Sequence, residues 1–123
     1  MNLVDSCGWL EYFANGPRAD FYAPAIEDLN RLIVPTICLF EVFKRARAQK
    51  GEKAALQAIA QMRQGKVADL DLPLALSAAA ISSDLQLPLA DSVILATARA
   101  YRATIWTQDA DFKGLPGVKY VKA

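Results

Sequence analysis

Four carboxylates, Asp5, Glu41, Asp91 and Asp109, stand where they could serve one hydrolytic centre. Asp5 and Asp109 each follow a short apolar run with strand character, and in open parallel sheets ligands collect outside the carboxyl ends of the strands. Glu41 lies inside Ile37-Cys38-Leu39-Phe40-Glu41-Val42-Phe43, where apolar residues cover so many helical faces that the carboxylate is partly surrounded by them. An unpaired charge in that position is costly. Asp91 falls in the first turn of a helix opened by Pro88. Carboxylates brought together repel one another and hold their protons unless a cation compensates them, and hard oxygen donors suit Mg²⁺ or Mn²⁺. The chain has no histidine, which removes the Ser-His-Asp triad, the Cys-His pair, imidazole acid/base catalysis and nearly every catalytic zinc site. Hydrolysis here must come from carboxylates, hydroxyls, lysines or a metal.

Each acid also has a purely structural reading. Asp91 could favour a helix N-terminus, Asp5 and Asp109 could form turns after strands, and Glu41 could pair with Arg45 one helical turn later. Asp111 could join the acidic set or form the turn that positions Phe112. Ser6 and Thr107, close to acidic positions, are candidate hydrogen-bond donors to them, with local capping as the alternative. Trp9 and Trp106 read as core or interface aromatics rather than as base-stacking platforms. Cys7 and Cys38 lie far apart without CxxC spacing, which favours neither a zinc site nor a disulfide and suits ordinary buried thiols.

The 123 residues are enough for a core without disulfide staples, and one domain over 1–123 is expected. Hydrophobic residues make up 54%, too many for a disordered chain, yet no apolar stretch reaches the roughly 20 residues of a membrane span. The first residues, Met1-Asn2-Leu3-Val4-Asp5-Ser6, lack the features of a signal peptide, so the cytoplasm is the expected compartment and no membrane is expected. Net charge is only +1, but Lys44, Arg45, Arg47, Lys50, Lys53, Arg63 and Lys66 crowd one segment against Glu52 alone. That run is either a solvated helical face or a phosphate-contacting surface, with Lys44, Arg45, Arg47 and Lys50 the candidates for the latter.

The elements that must position these groups follow from periodicity and punctuation. Leu3-Val4 reads as a strand, followed by a helix from Cys7 to Ala14 that stops at Asn15-Gly16-Pro17. A helix is expected over Asp20 to Asn30, a strand over Arg31 to Val34, and then a helix from an N-cap at Thr36 to about Lys50. Glu52 to Gln64 forms an amphipathic helix, Val67 to Leu70 a possible third strand, and Pro73 to Leu87 and Leu89 to Arg102 two more helices. Ala103 to Thr107 and Val118 to Val121 complete the strands. Strands separated by helices give an α/β fold with a mostly parallel sheet of four or five strands.

Taken as an ordered set, Leu3-Val4-Asp5-Ser6, Glu41, Leu89-Ala90-Asp91-Ser92 through Ala96-Thr97-Ala98, and Ile105-Trp106-Thr107-Gln108-Asp109-Ala110-Asp111-Phe112 resemble the PIN domain, most closely the VapC-type toxins of toxin-antitoxin pairs. The resemblance spans nearly the whole chain and implies a three-layer fold with helices on both sides of the sheet. It also implies a Mg²⁺- or Mn²⁺-dependent endoribonuclease. On that reading Asp5, Asp91 and Asp109 are metal ligands, direct or through water, Glu41 is a ligand or orients the attacking water, and Asp111 is a possible further ligand. An RNA substrate, a protein antitoxin and a homodimer follow from the same resemblance. Trp9, Tyr12, Phe13 and the apolar residues of the helix from Glu52 to Gln64 are candidate contacts for antitoxin or a second copy, with core packing as the alternative. The competing readings are an RNA-processing nuclease that is not a toxin and a non-catalytic receiver-like or interaction module. A receiver wants clustered early acids and a late lysine, where this chain has Asp5 alone and then Thr107-Gln108-Asp109.

Overall fold

Five short strands, β1 (Asn2–Val4), β2 (Leu32–Pro35), β3 (Lys66–Ala68), β4 (Thr104–Thr107) and β5 (Val118–Tyr120), pair in the order β3-β2-β1-β4-β5 in the computed structural model, which describes residues 1–123. All four pairings are parallel, so each connection must cross over the sheet. Six helices make the crossovers: α1 (Ser6–Phe13), α2 (Ala19–Ile26), α3 (Thr36–Lys50), α4 (Glu52–Met62), α5 (Leu72–Leu85) and α6 (Leu89–Tyr101). Helices cover both faces, giving the three-layer α/β arrangement that the resemblance implies. Strands buried on both faces need apolar side chains in both directions, and Leu3, Val4, Leu32, Ile33, Val34 and Ile105 are at most 1% exposed.

The strand order creates the crevice. The chain winds outward from β1 through β2 to β3, returns across the sheet to β4 beside β1, and continues to β5. Direction therefore reverses between β1 and β4, and their carboxyl ends flank the switch point where such sheets bind ligands. Asp5 follows β1 directly, and Asp109 lies two residues beyond β4.

Gly8 lets α1 lie close over this end. It is buried, and a methyl group there would collide with the Tyr22 ring of α2 and with Val4 of β1. Trp9 is fully buried and Trp106 nearly so, the latter donating from Nε1 to Asn2 Oδ1 at 3.0 Å, so both belong to the core. Trp9 is thereby removed from the candidate surface contacts, while Tyr12 and Phe13 are half-buried.

Several boundaries differ from expectation. The second helix stops at Ile26, and a 3-10 turn over Leu29–Arg31 leads into β2. Pro35 closes β2 with extended torsions (φ −64°, ψ 143°) and takes the N-cap position, so Thr36 is already helical and caps nothing. The third strand lies one to two residues earlier than Val67 to Leu70, in register with Ile33 to Pro35. The fifth helix ends at Leu85 because Gln86 adopts a left-handed conformation (φ 54°). No single helix is long and apolar enough to cross a membrane.

Candidate active site

Asp5 is built into the junction of β1 and α1. Its extended backbone ends the strand, and its Oδ1 accepts the Ser6 amide hydrogen at 2.7 Å, capping the helix. Its Oδ2 accepts from Thr107 Oγ1 at 2.7 Å, and the Cys7 thiol approaches the same oxygen at 3.4 Å. Thr107, the last residue of β4, is fully buried, and its hydroxyl also accepts the Asp109 amide hydrogen at 2.9 Å. One hydroxyl thus ties the carboxyl ends of two adjacent strands together. Asp109 Oδ1 then accepts the Asp111 amide hydrogen at 2.9 Å, starting the 3-10 turn Ala110–Phe112 that drives Phe112 into the core.

Helices bring the other two acids. Glu41 lies in the second turn of α3, where Oε1 accepts the Ser6 hydroxyl hydrogen at 2.6 Å. Adjacent residues of the first α1 turn therefore hold two sites at once, Asp5 at the sheet and Ser6 at α3. Asp91 occupies the first turn of α6 and is 9% exposed. One carboxylate oxygen from each of Asp91, Asp109 and Asp111 lies within 4.8 Å of the others. Asp5, Glu41, Asp91 and Asp109 all line one cleft of about 670 Å³, whose wall also carries Lys44 and Arg45.

The electrostatics are those of uncompensated negative charge. Burial, then the neighbouring Asp111 and Asp109 carboxylates, push the Asp91 pKa up to about 8. Burial also raises Asp5, against the lowering effect of the Thr107 and Ser6 hydrogen bonds. The only ion pair in the chain joins Arg47 and Glu52 on the surface, so none of the clustered carboxylates is paired directly with a basic side chain. The Cys7 thiol is pushed up to about 12, by burial and then by the Asp5 charge, which keeps it a neutral donor.

Among the residues singled out by sequence, Asp5, Ser6, Glu41, Asp91 and Asp109 share the cleft, and Thr107 supports it from below. Asp111 is exposed at its edge, close to Asp91 and Asp109. Glu41 is held by Ser6 and makes no ion pair with Arg45. The basic candidates divide: Lys44 and Arg45 reach the cleft, Arg47 pairs with Glu52, and Lys50 lines a separate groove between α1, α3 and α4. Sequence reasoning missed Cys7, read as an ordinary buried thiol yet half-buried on the cleft wall, and Phe40, 61% exposed there. Cys7 was signalled by its place two residues after Asp5, whereas the apolar run Ile37 to Phe43 gave no signal that Phe40 would be exposed.

The PIN domain family model matches residues 3–118. Among solved structures, a toxin-antitoxin complex from Klebsiella pneumoniae contains a chain 24% identical, with a TM-score of 0.82 over 97% of this chain and 96% of that one. VapC20 from Mycobacterium tuberculosis, a sarcin-ricin loop cleaving toxin, superposes with a TM-score of 0.77 at 17% identity, covering 96% of this chain and 97% of that one. A chain of VapBC2 from Rickettsia felis, solved bound to a DNA fragment from its promoter, gives a TM-score of 0.75 at 14% identity, covering 98% and 97%. Comparison with curated protein sequences gives no match.

Proposed function

The chain belongs to the PIN domain family, and from that premise we propose that it is a metal-dependent endoribonuclease acting as the toxin of a type II toxin-antitoxin pair. The observation that carries the catalytic part is the convergence of Asp5, Glu41, Asp91 and Asp109 on one cleft, none of them in an ion pair. An all-oxygen donor set with Asp91 pushed up to about 8 fits a hard divalent cation, Mg²⁺ or Mn²⁺, that would relieve the repulsion. Asp91, Asp109 and Asp111 have carboxylate oxygens close enough together to hold it, and Asp5, outside that group of three but on the same cleft, is the proposed further ligand. When bound, such an ion supplies Lewis-acid polarisation of the phosphate and shields its charge.

The chain's own residues do the rest. Thr107 fixes the Asp5 carboxylate and the Asp109 backbone in one arrangement, so the acids are oriented before substrate arrives. Ser6 occupies one oxygen of Glu41 and leaves the other to accept a hydrogen from the attacking water. Lys44 and Arg45 meet the RNA backbone at the cleft wall. Carboxylates and a cation can do this chemistry without histidine, which the chain lacks.

A protein antitoxin is the proposed inhibitor, supported by the similarity to chains solved in toxin-antitoxin complexes. A homodimer in the cytoplasm is the proposed state of the free toxin. Leu72 and Leu76 of α5, 72% and 64% exposed on a helix whose only charge is Asp84, supply apolar surface for a second copy. Expressing the chain with and without its genomic neighbour, then mapping 5′ ends of cellular RNA, tests the proposal. Growth arrest with new RNA ends, relieved by the neighbour, is expected. Unchanged growth with orderly maturation of one RNA class would instead indicate a processing nuclease.

A further inference from the structure

Phe40 is exposed although it belongs to an apolar run. It interrupts an otherwise inward-facing apolar run of α3, is 61% exposed, and lies on the wall of the acidic cleft, beside Glu41 in sequence. Isolated exposed apolar residues are ordinary on protein surfaces, and Leu72, Leu76 and Leu89 are examples away from the cleft. Phe40 differs in its company. Lys44, one helical turn later, holds its ammonium 5.9 Å from the ring centroid, and Arg45 follows on the same cleft wall. A single helix face therefore presents a carboxylate, an exposed aromatic ring and two cations within two turns.

We propose that Phe40 is a stacking platform for one unpaired nucleobase of the RNA strand, with Lys44 and Arg45 meeting the adjoining phosphates while the strand lies across the carboxylates. The inference rests on the nuclease reading and adds to it a substrate-binding residue. A nucleotide combines a flat π face with an anion a short distance away, and the ring-plus-cation face complements both parts. An apolar side chain of a protein partner would cover the ring but leave the two cations unmatched. Every base has a π face, so the contact itself favours unpaired bases without choosing among them.

The test compares Phe40→Ala, Phe40→Leu and Phe40→Trp in the full chain, on single-stranded oligoribonucleotides in Mg²⁺, with circular dichroism to verify the fold. Phe40→Ala is expected to raise KM by about 5- to 100-fold, the change that loss of one base–aromatic stack produces, with kcat within about threefold. Phe40→Trp should stay near the parent chain, and Phe40→Leu should resemble Phe40→Ala. A second measurement places 2-aminopurine at successive positions of the strand, in the Asp91→Asn background that keeps it intact. Quenching at one position, lost with Phe40→Ala and kept with Phe40→Trp, is expected. An unchanged KM in Phe40→Ala, a leucine that serves as well as phenylalanine, or a loss confined to affinity for the genomic neighbour's product would each overturn the proposal. The last result would make Phe40 a protein contact. If the parent chain cleaves no RNA, the nuclease reading fails by itself, and the 2-aminopurine signal still decides whether Phe40 stacks on a base.

Discussion

The Thr107 hydroxyl donates to Asp5 Oδ2 at 2.7 Å while accepting the Asp109 amide hydrogen at 2.9 Å, so two acids more than a hundred positions apart share one buried tether. Thr107→Val keeps the shape and removes the hydroxyl. Losses at such orienting contacts are typically about 10- to 100-fold in metal affinity or activity. Cleavage rate against Mg²⁺ concentration should shift by that order for Thr107→Val and little for Thr107→Ser. Full activity in the valine variant would show that the tether is dispensable.

Asp91 makes the stability of the metal-free protein fall with pH. The folded state binds its proton more tightly than the unfolded chain, whose Asp titrates near about 3.9. Stability is therefore full below that value and is lost as pH rises toward the folded value of about 8. Solvent reaches part of the cluster, so the loss is on the order of 1–2 kcal/mol. Thermal melts in EDTA should give a lower Tm at pH 8.5 than at pH 5, with Mg²⁺ restoring most at the higher pH. Asp91→Asn should flatten this dependence in part, since burial raises Asp5 in the same direction. A metal-free Tm that rises between those pH values would contradict the charge account.

The division of the basic residues is open to measurement through salt. Lys44 and Arg45 line the cleft, whereas Arg47 pairs with Glu52 and Lys50 faces another groove. Removing one phosphate contact reduces the slope of log affinity against log salt by about 0.7–1. Lys44→Ala and Arg45→Ala should each show that change, and Lys50→Ala should not. Equal effects from all three would point to a diffuse field rather than a cleft contact.

Gly8 sets how closely α1 can lie against the sheet. Gly8→Ala forces a methyl group against Tyr22 and Val4, and overpacking of this kind costs about 1–3 kcal/mol. The helix-propensity gain of alanine, about 1 kcal/mol, offsets part of it. Urea titration should show a lower midpoint, and kcat should fall as well because Asp5, Ser6 and Cys7 begin the displaced helix. A variant as stable as the parent would mean that α1 and α2 give way freely.

Most of this architecture was legible from the chain itself. Leu32 to Val34 and Ile105 announce buried parallel strands, and Asn15-Gly16-Pro17 announces a helix stop, because these signals are local. The crevice follows once the strands are parallel and accounts for Asp5 and Asp109, whereas Glu41 and Asp91 were joined to them by the resemblance of the ordered motifs to the PIN domain. What stayed hidden depends on contacts between distant residues. Asp111 could not be assigned to turn or cluster until α6 brought Asp91 beside it. Glu41 had Arg45 as a partner at helical spacing, yet α1 presents Ser6 to it instead, from 35 positions earlier. The exposure of Phe40 was likewise invisible in a run of apolar residues, since periodicity there allowed nearly every face to be inward.

The central claim is that the carboxylate cleft hydrolyses RNA through a divalent ion, and the direct measurement is cleavage of a single-stranded RNA by purified chain with Mg²⁺ or Mn²⁺, with EDTA, and as Asp109→Asn. The account predicts internal cuts with either metal, none in EDTA, and a loss of at least about 100-fold in the folded Asp109→Asn variant. Undiminished cutting by that variant, or by the parent chain in EDTA, would contradict it.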